Sequence, residues 1–191
     1  MADVVHLRSY DDRSRDDEQT RRVLSATVEL LRDVPYSDVT MTAIGKRAGV
    51  SVGLLHEHFW SKDAIVAEIY LHRLRAAPLE VDVESGAQER IVCQFSRLVM
   101  LLADEPGLAA ACSSALVCSD PSVRSVRERI HAEYHRRICT MLRSGAWPEV
   151  TETLEFGLVG ALVHASCGVD DFQQTADLLA RMVATVLPDG R

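Results

Sequence analysis

Between Thr40 and Ala64 only three residues, Gly49-Val50-Ser51, join two short helices, and this constrains the fold more than any other stretch. Thr40 is a good N-cap, because its hydroxyl accepts one of the backbone N–H groups that a helix start leaves unpaired. The helix it opens is predicted to end at Ala48, since Gly49 tolerates the left-handed backbone of a C′ residue. Ser51 caps a third helix over about 52–59. Ser61 caps a fourth that runs to about Ala77, where Pro78 stops it. Upstream, a first helix over 16–32 carries Leu24, Val28 and Leu31 on one stripe and breaks at Val34-Pro35-Tyr36. Two helices on so short a turn cross steeply and need a third to cover their apolar faces. Ile44, Ala48, Val50, Leu55 and Phe59 are therefore predicted to converge with Leu24, Val28 and Leu31 on one small core.

Downstream the helical period continues over 86–103, 108–117, 122–144, 148–167 and 172–186. Glu105-Pro106-Gly107, Ser119-Asp120-Pro121 and Gly168-Val169-Asp170-Asp171 punctuate these stretches. No strand-like alternation interrupts them, so the expected fold is all-α with about nine helices. Its predicted parts are an acidic, disordered tail at 1–15, a three-helix helix-turn-helix domain within 16–77, and a helical body at 78–191. A chain of 191 residues, 47% of them apolar, can bury a sizeable core. The longest apolar run, 98–103, is far too short to cross a membrane, and the polar first fifteen residues offer no signal segment. Five cysteines without a Cys-x-x-Cys pair fit reduced thiols rather than a disulfide framework. A cytoplasmic protein with no membrane partner is expected.

The net charge of −7 argues against nucleic acid until its distribution is considered. Residues 19–75 hold eight Lys/Arg against six Asp/Glu, whereas the chain from Ala76 onward holds ten Arg against sixteen acids. A weakly basic N-terminal module on an acidic body is compatible with DNA binding. Two local oddities point the same way. Lys62 lies in the first turn of a helix, where a cation is disfavoured by roughly 0.3–1 kcal/mol unless an anion docks there. Gly53 lies inside a short helix at a cost of about 1 kcal/mol, and glycine is useful where another backbone, such as a groove wall, comes close. The competing reading is a three-helix cluster, or a helical interaction protein, with no DNA role.

Residues 40–64 closely resemble the signature of the TetR family of bacterial repressors. The likeness is carried by the threonine-capped second helix, Ala48-Gly49-Val50-Ser51 at the turn, Gly53, Leu55, Phe59 and Ser61-Lys62-Asp63-Ala64. It extends over roughly Glu18 to Tyr70. The family usually has tyrosine where His56 stands and often at His58, and commonly a polar or basic residue at Val52 and Leu54. The resemblance implies that Thr40 and Lys62 hold phosphates and that Ser51 caps the recognition helix beside the backbone. Thr42, Val52, Gly53 and Leu54 would face the major groove. His56 would replace a phosphate-contacting tyrosine, and His58 would reach a base edge or a phosphate. Val52 and Leu54 donate no hydrogen bonds, so their readout would be contact with thymine methyls. The alternative for His56 and His58 is a partly buried pair supporting Phe59.

The same resemblance implies a variable C-terminal half that binds an effector and dimerises through its last two helices. Here Leu154, Leu158, Leu162 and Ala165 form a stripe, and Gly157, Gly160 and Ala161 permit close helix approach. Candidate pocket residues are Phe95, Met100, Tyr134, Met141, Trp147, Phe156 and His164, each with an ordinary core role as the alternative. Aromatics at 5% favour an aliphatic ligand. His131, His135 and Cys139 recur every four residues, a spacing that can gather a soft metal. They drift toward solvent from the apolar stripe Val123, Val126, Ile130, Tyr134 and Ile138, so no metal and no cofactor is expected. Without a Gly-x-Ser-x-Gly elbow, a P-loop, a Gly-x-Gly-x-x-Gly or a His-Glu-x-x-His, the chain is not expected to be an enzyme. The expectation is a homodimeric regulator that leaves a palindromic operator when a small apolar effector binds. The alternative is a metal- or thiol-responsive regulator.

Overall fold

The computed structural model describes residues 3–143, 147–168 and 170–188, with side chains from Asp16 onward. Among these residues there are nine α-helices and no strand: α1 (Asp3–Asp33), α2 (Met41–Ala48), α3 (Val52–His58), α4 (Lys62–Ala76), α5 (Ala87–Val99), α6 (Pro106–Val117), α7 (Arg124–Leu142), α8 (Pro148–Ser166) and α9 (Phe172–Val186). Single 3-10 turns at Tyr36–Asp38, Met100–Leu102 and Pro121–Val123 join some of them. The helix α1 begins at Asp3, N-terminal of the predicted start near Asp16. No glycine or proline interrupts it, and Asp and Arg recur at helical spacing through 8–22. Met1 and Ala2, Ser144 at the predicted end of α7, Val169, and the last three residues lie outside the described residues.

Capping explains the short helices. Thr40 Oγ1 accepts from the Ala43 N–H at 3.1 Å, Ser51 Oγ from Leu54 at 3.1 Å, and Ser61 Oγ from Ala64 at 3.1 Å. Gly49 adopts φ 68° and ψ 33°, closing α2, while Val50 N–H returns to the Gly45 carbonyl at 3.0 Å. The predicted core is correct for Ile44, Ala48, Leu55, Phe59 and Leu31, all buried. On α1, however, the buried residues beside Leu31 are Val23, Ala26 and Thr27, whereas Leu24 and Val28 are only half-buried. Both line a cleft of about 350 Å³ between α1 and α4, facing Ile69, His72 and Arg73. The stripe is wider than predicted because α1 packs on α2 and on α4 at once. Thr27 tolerates burial because its hydroxyl donates to the Val23 carbonyl at 2.9 Å.

The helix α4 is buried at Ala64, Ile65, Val66, Ala67, Ile69, Tyr70, Leu71 and Leu74, too many residues for one face, because it packs against α1, α6 and α7. It therefore belongs to the N-terminal helix-turn-helix unit and to the body equally. The Tyr134 hydroxyl donates to that of Tyr70 at 2.6 Å, joining α7 to α4 where neither group meets water. Three arginines cap helix ends they do not belong to. Arg137, 1% exposed, donates to the carbonyls of Leu74, Ala77 and Pro78 at the end of α4 and to Glu133 Oε1 at 2.7 Å. Arg127 caps α6 through Leu116 and Cys118, and Arg90 reaches the Met141 carbonyl near the end of α7 at 2.7 Å. A cation at a helix C-terminus meets the negative end of the dipole and satisfies carbonyls that lack a partner.

The predicted α7 stripe, Val123, Val126, Ile130, Tyr134 and Ile138, is buried throughout. Leu154, Leu158, Leu162 and Ala165 are also buried within the chain, so that stripe serves its own core rather than a partner. Among the described residues no single helix is long and apolar enough to cross a membrane.

Candidate nucleic-acid interface

The short helix α3 is held from behind and open in front. Leu55 is its buried anchor, and Phe59 seals its end. Of the predicted base-facing residues, Thr42 and Gly53 are exposed, but Val52 and Leu54 are half-buried. Val52 leans toward α2, near Gly45, and Leu54 lines a crevice with Gln19 and Val23 of α1. Neither side chain is as free for a thymine methyl as the sequence implies. His56 and His58 are both exposed, so they are not a buried pair supporting Phe59. The outward face at i, i+3 and i+4 is Gly53, His56 and Glu57, with Trp60, 79% exposed, just beyond it. The sequence signal for Glu57 and Trp60 is this period, counted from Gly53.

Two glycines here have different causes. A Cβ on Gly45 would stand 3.0 Å from the Val50 carbonyl oxygen, a tight contact that the turn would have to relieve by a few tenths of an ångström. A Cβ on Gly53 would meet only the Ser51 hydroxyl at 4.0 Å. Nothing among the described residues requires glycine at that position.

Lys62 has partners within the chain that the sequence does not show. Its ammonium donates to the carbonyls of Tyr36 at 2.8 Å, Val39 at 2.9 Å and Ser37 at 3.4 Å, and lies 4.4 Å from the Tyr36 ring centroid. Three N–H donors thus find carbonyl acceptors within the chain. The cation's place in the first turn of α4 is thus explained by the carbonyls of the preceding turn. Tyr36 donates to Asp63 Oδ1 at 2.6 Å, and burial together with that carboxylate raises its phenol well above the ordinary range. Arg47 is likewise engaged, by Glu29 and Asp33. Lys46 is exposed on α2 and pairs with no described carboxylate. Thr40 and Ser51 are exposed, each with an oxygen already accepting a cap bond and a hydroxyl proton still to give.

The C-terminal candidates do not assemble into one pocket. Phe95, Tyr134 and Met141 are each 1% exposed in the core. Met100, Trp147 and Phe156 are exposed, at 41%, 74% and 78%. His164 is half-buried, with Nδ1 3.6 Å from Asp170 Oδ2. A cavity does lie among α4, α5, α6, α8 and α9, bordered by Tyr70, Leu98, Cys112, Leu116, Leu162 and Phe172, but its volume is about 10 Å³, room for one water. Burial pushes the Cys112 thiol up, so it is neutral there. A groove of about 260 Å³ opens between α8 and α9, lined by Gly157, Gly160, Ala161, Leu178 and Met182. His131 stacks edge-on to Tyr134 at 6.2 Å, while His135 turns to Cys139 and Glu155. Among the described residues no group of three His, Cys, Asp or Glu side chains is arranged for a metal.

A recognition helix presented by a three-helix base on an all-α body defines a helix-turn-helix transcriptional regulator. The family description "Bacterial regulatory proteins, tetR family" matches residues 23–69. A Mycobacterium tuberculosis protein described as an uncharacterized HTH-type transcriptional regulator is 36% identical over 184 residues, 95% of this chain and 86% of its own length. The chain belongs to the TetR family of bacterial transcriptional regulators. Among solved structures, a TetR regulator from Rhodococcus sp. RHA1 superposes with a TM-score of 0.79 at 16% identity, covering 93% of this chain and 100% of its own. FadR from Bacillus subtilis, solved with stearoyl-CoA, superposes at 0.65 with 17% identity, covering 87% and 98%.

Proposed function

We propose that the chain is a homodimeric repressor that places α3 of each protomer in the major groove of a palindromic operator. The observation that carries the reading is Gly53, a helix-interior glycine that no contact within the chain explains. Its neighbours on the open face supply the chemistry: His56 and Glu57 for base edges or phosphate, Thr42 for a base, Thr40, Ser51 and Lys46 for the backbone. His58 stands at the edge of this face. Dimerisation is assigned to α8 and α9, where Phe156 and Leu178 are exposed beside a groove of small residues.

The proposed effector is an acyl-CoA whose apolar chain would enter the helical body; FadR structures from Bacillus subtilis and Thermus thermophilus hold stearoyl-CoA and lauroyl-CoA. Ligand pockets usually measure about 300–1,000 Å³, so the effector must enlarge the small central cavity by parting α6 from α4. That motion reaches the reading head directly. Glu105, at the start of α6, pairs with Arg32 of α1 and Arg73 of α4. The test is anisotropy of a labelled duplex pool titrated with protein, then with stearoyl-CoA and lauroyl-CoA. Salt-dependent binding that an acyl-CoA reverses supports the reading. Absence of duplex binding overturns it, and binding that no acyl-CoA alters overturns the effector class. The linkage is reciprocal: operator should weaken the effector by the same factor, about 5–150-fold for a coupling of 1–3 kcal/mol.

A further inference from the structure

One cluster of reactive side chains is absorbed neither by the fold nor by the reading head. On the exposed side of α7, His135 Nε2 lies 3.5 Å from Cys139 Sγ, one helical turn away. The opposite ring nitrogen, Nδ1, lies 2.7 Å from Glu155 Oε1, which reaches across from α8. The His135 side chain is 62% exposed, whereas Glu155 is 19% exposed and fixed against α7. A carboxylate only accepts, so Nδ1 carries the hydrogen and Nε2 is left as the acceptor for the Cys139 S–H. The order is thiol, imidazole, carboxylate, which is the arrangement that activates a cysteine nucleophile. Nearby on α7, Arg136 is held by Glu133, and Arg143 lies one turn beyond Cys139. Cys112, by contrast, is buried with its thiol pushed up and donates weakly to the Val66 carbonyl at 3.9 Å, so it is inert.

We propose that Cys139 is a site of covalent modification by small α,β-unsaturated carbonyl compounds, with His135 as its base and Glu155 as the residue that positions His135. His135 Nε2 takes the thiol proton, and the sulfur electron pair forms a bond to the β-carbon of the acceptor. The π pair of the C=C bond moves onto the α-carbon and carbonyl oxygen as an enolate, which takes the proton back from His135. No electrons are gained or lost, and no further reactant is consumed. A base that holds the proton beside the new bond and can return it suits addition in particular. The proposal stands independently of operator binding, because its readout is chemical.

The test uses the full chain and N-ethylmaleimide, with peptide mapping by mass spectrometry over a time course at about pH 6.5 and pH 8. Cys93 and Cys167, both exposed, serve as internal comparators. Cys139 is expected to react at least about tenfold faster than either comparator. His135→Asn, at a mostly exposed side chain, should bring Cys139 to the comparators' rate and pH dependence. Glu155→Gln should lower its rate partially, with unchanged far-UV circular dichroism for both variants. Labelling of Cys139 no faster than Cys93 and Cys167, or a rate that His135→Asn leaves unchanged, overturns the proposal.

Discussion

Gly107, in the first turn of α6, stands so close to the Leu31 carbonyl of α1 that a Cβ placed on it would lie 2.5 Å from that oxygen. A backbone carbonyl has no rotamer with which to retreat, so one methyl must move a helix. Gly107→Ala is expected to lower stability by about 1–3 kcal/mol, read as a fall in melting temperature. Because the joint links body to reading head, operator affinity should fall as well. An unchanged melting temperature would mean that α6 is not seated on α1.

Gly53→Ala separates a folding role from a binding role. The variant should be as stable as the parent or gain up to about 1 kcal/mol, because alanine is the better helix former and the added methyl has open space. Its affinity for operator should nevertheless fall at least about tenfold, or about 1.4 kcal/mol. Parallel thermal melts and anisotropy titrations check both halves. Full affinity in the variant would remove the main support for α3 as the reader.

Lys62 is expected to serve the fold and Lys46 the DNA backbone. Lys62→Met should cost about 2–3 kcal/mol of stability, since the Tyr36 and Val39 carbonyls lose a charged donor. Lys46→Ala should leave stability alone, weaken binding to all duplexes alike and flatten the salt slope by about one unit. Thr42→Ala should weaken operator more than random DNA. A Lys62 variant with normal stability and a reduced salt slope would restore the phosphate role.

Acid sensitivity follows from Glu105. Burial pushes its carboxyl up, but Arg73 and Arg32 outweigh burial and hold it below the ordinary value of 4.5. A folded carboxyl below its unfolded value contributes stability that is present above about pH 4.5 and lost as pH falls through the folded value. Melting temperature should therefore drop as pH falls below about 4.5, and less steeply in Glu105→Gln. Part of the drop should remain, because Arg136 and Arg137 hold Glu133 below its ordinary value in the same way, against burial. Identical slopes in parent and variant would show that the Glu105 pairs do not couple to folding.

Local rules made the reading head legible. Hydroxyl caps at Thr40, Ser51 and Ser61, a left-handed glycine at 49 and the break at Pro35 depend on neighbours in sequence, and the helix limits follow them closely. What sequence concealed depends on partners far along the chain. Lys62 looks like an anion site until the carbonyls of residues 36–39 fold back over it. Arg137 looks like a surface cation until the end of α4 surrounds it. The pocket candidates scatter for a related reason: an aromatic on an amphipathic helix has the same period whether it faces the core, as Phe95 does, or solvent, as Phe156 does.

Two α3 helices related by a dimer two-fold are proposed to read one operator. Selection of bound duplexes from a random pool tests it most directly, read with the mass of the protein–DNA complex. Two inverted half-sites are predicted, centred about 34–36 Å apart or at a multiple of that distance, with two protomers bound and no enrichment by Gly53→Ala. A single asymmetric site bound by one protomer, or no enriched sequence at all, would contradict it.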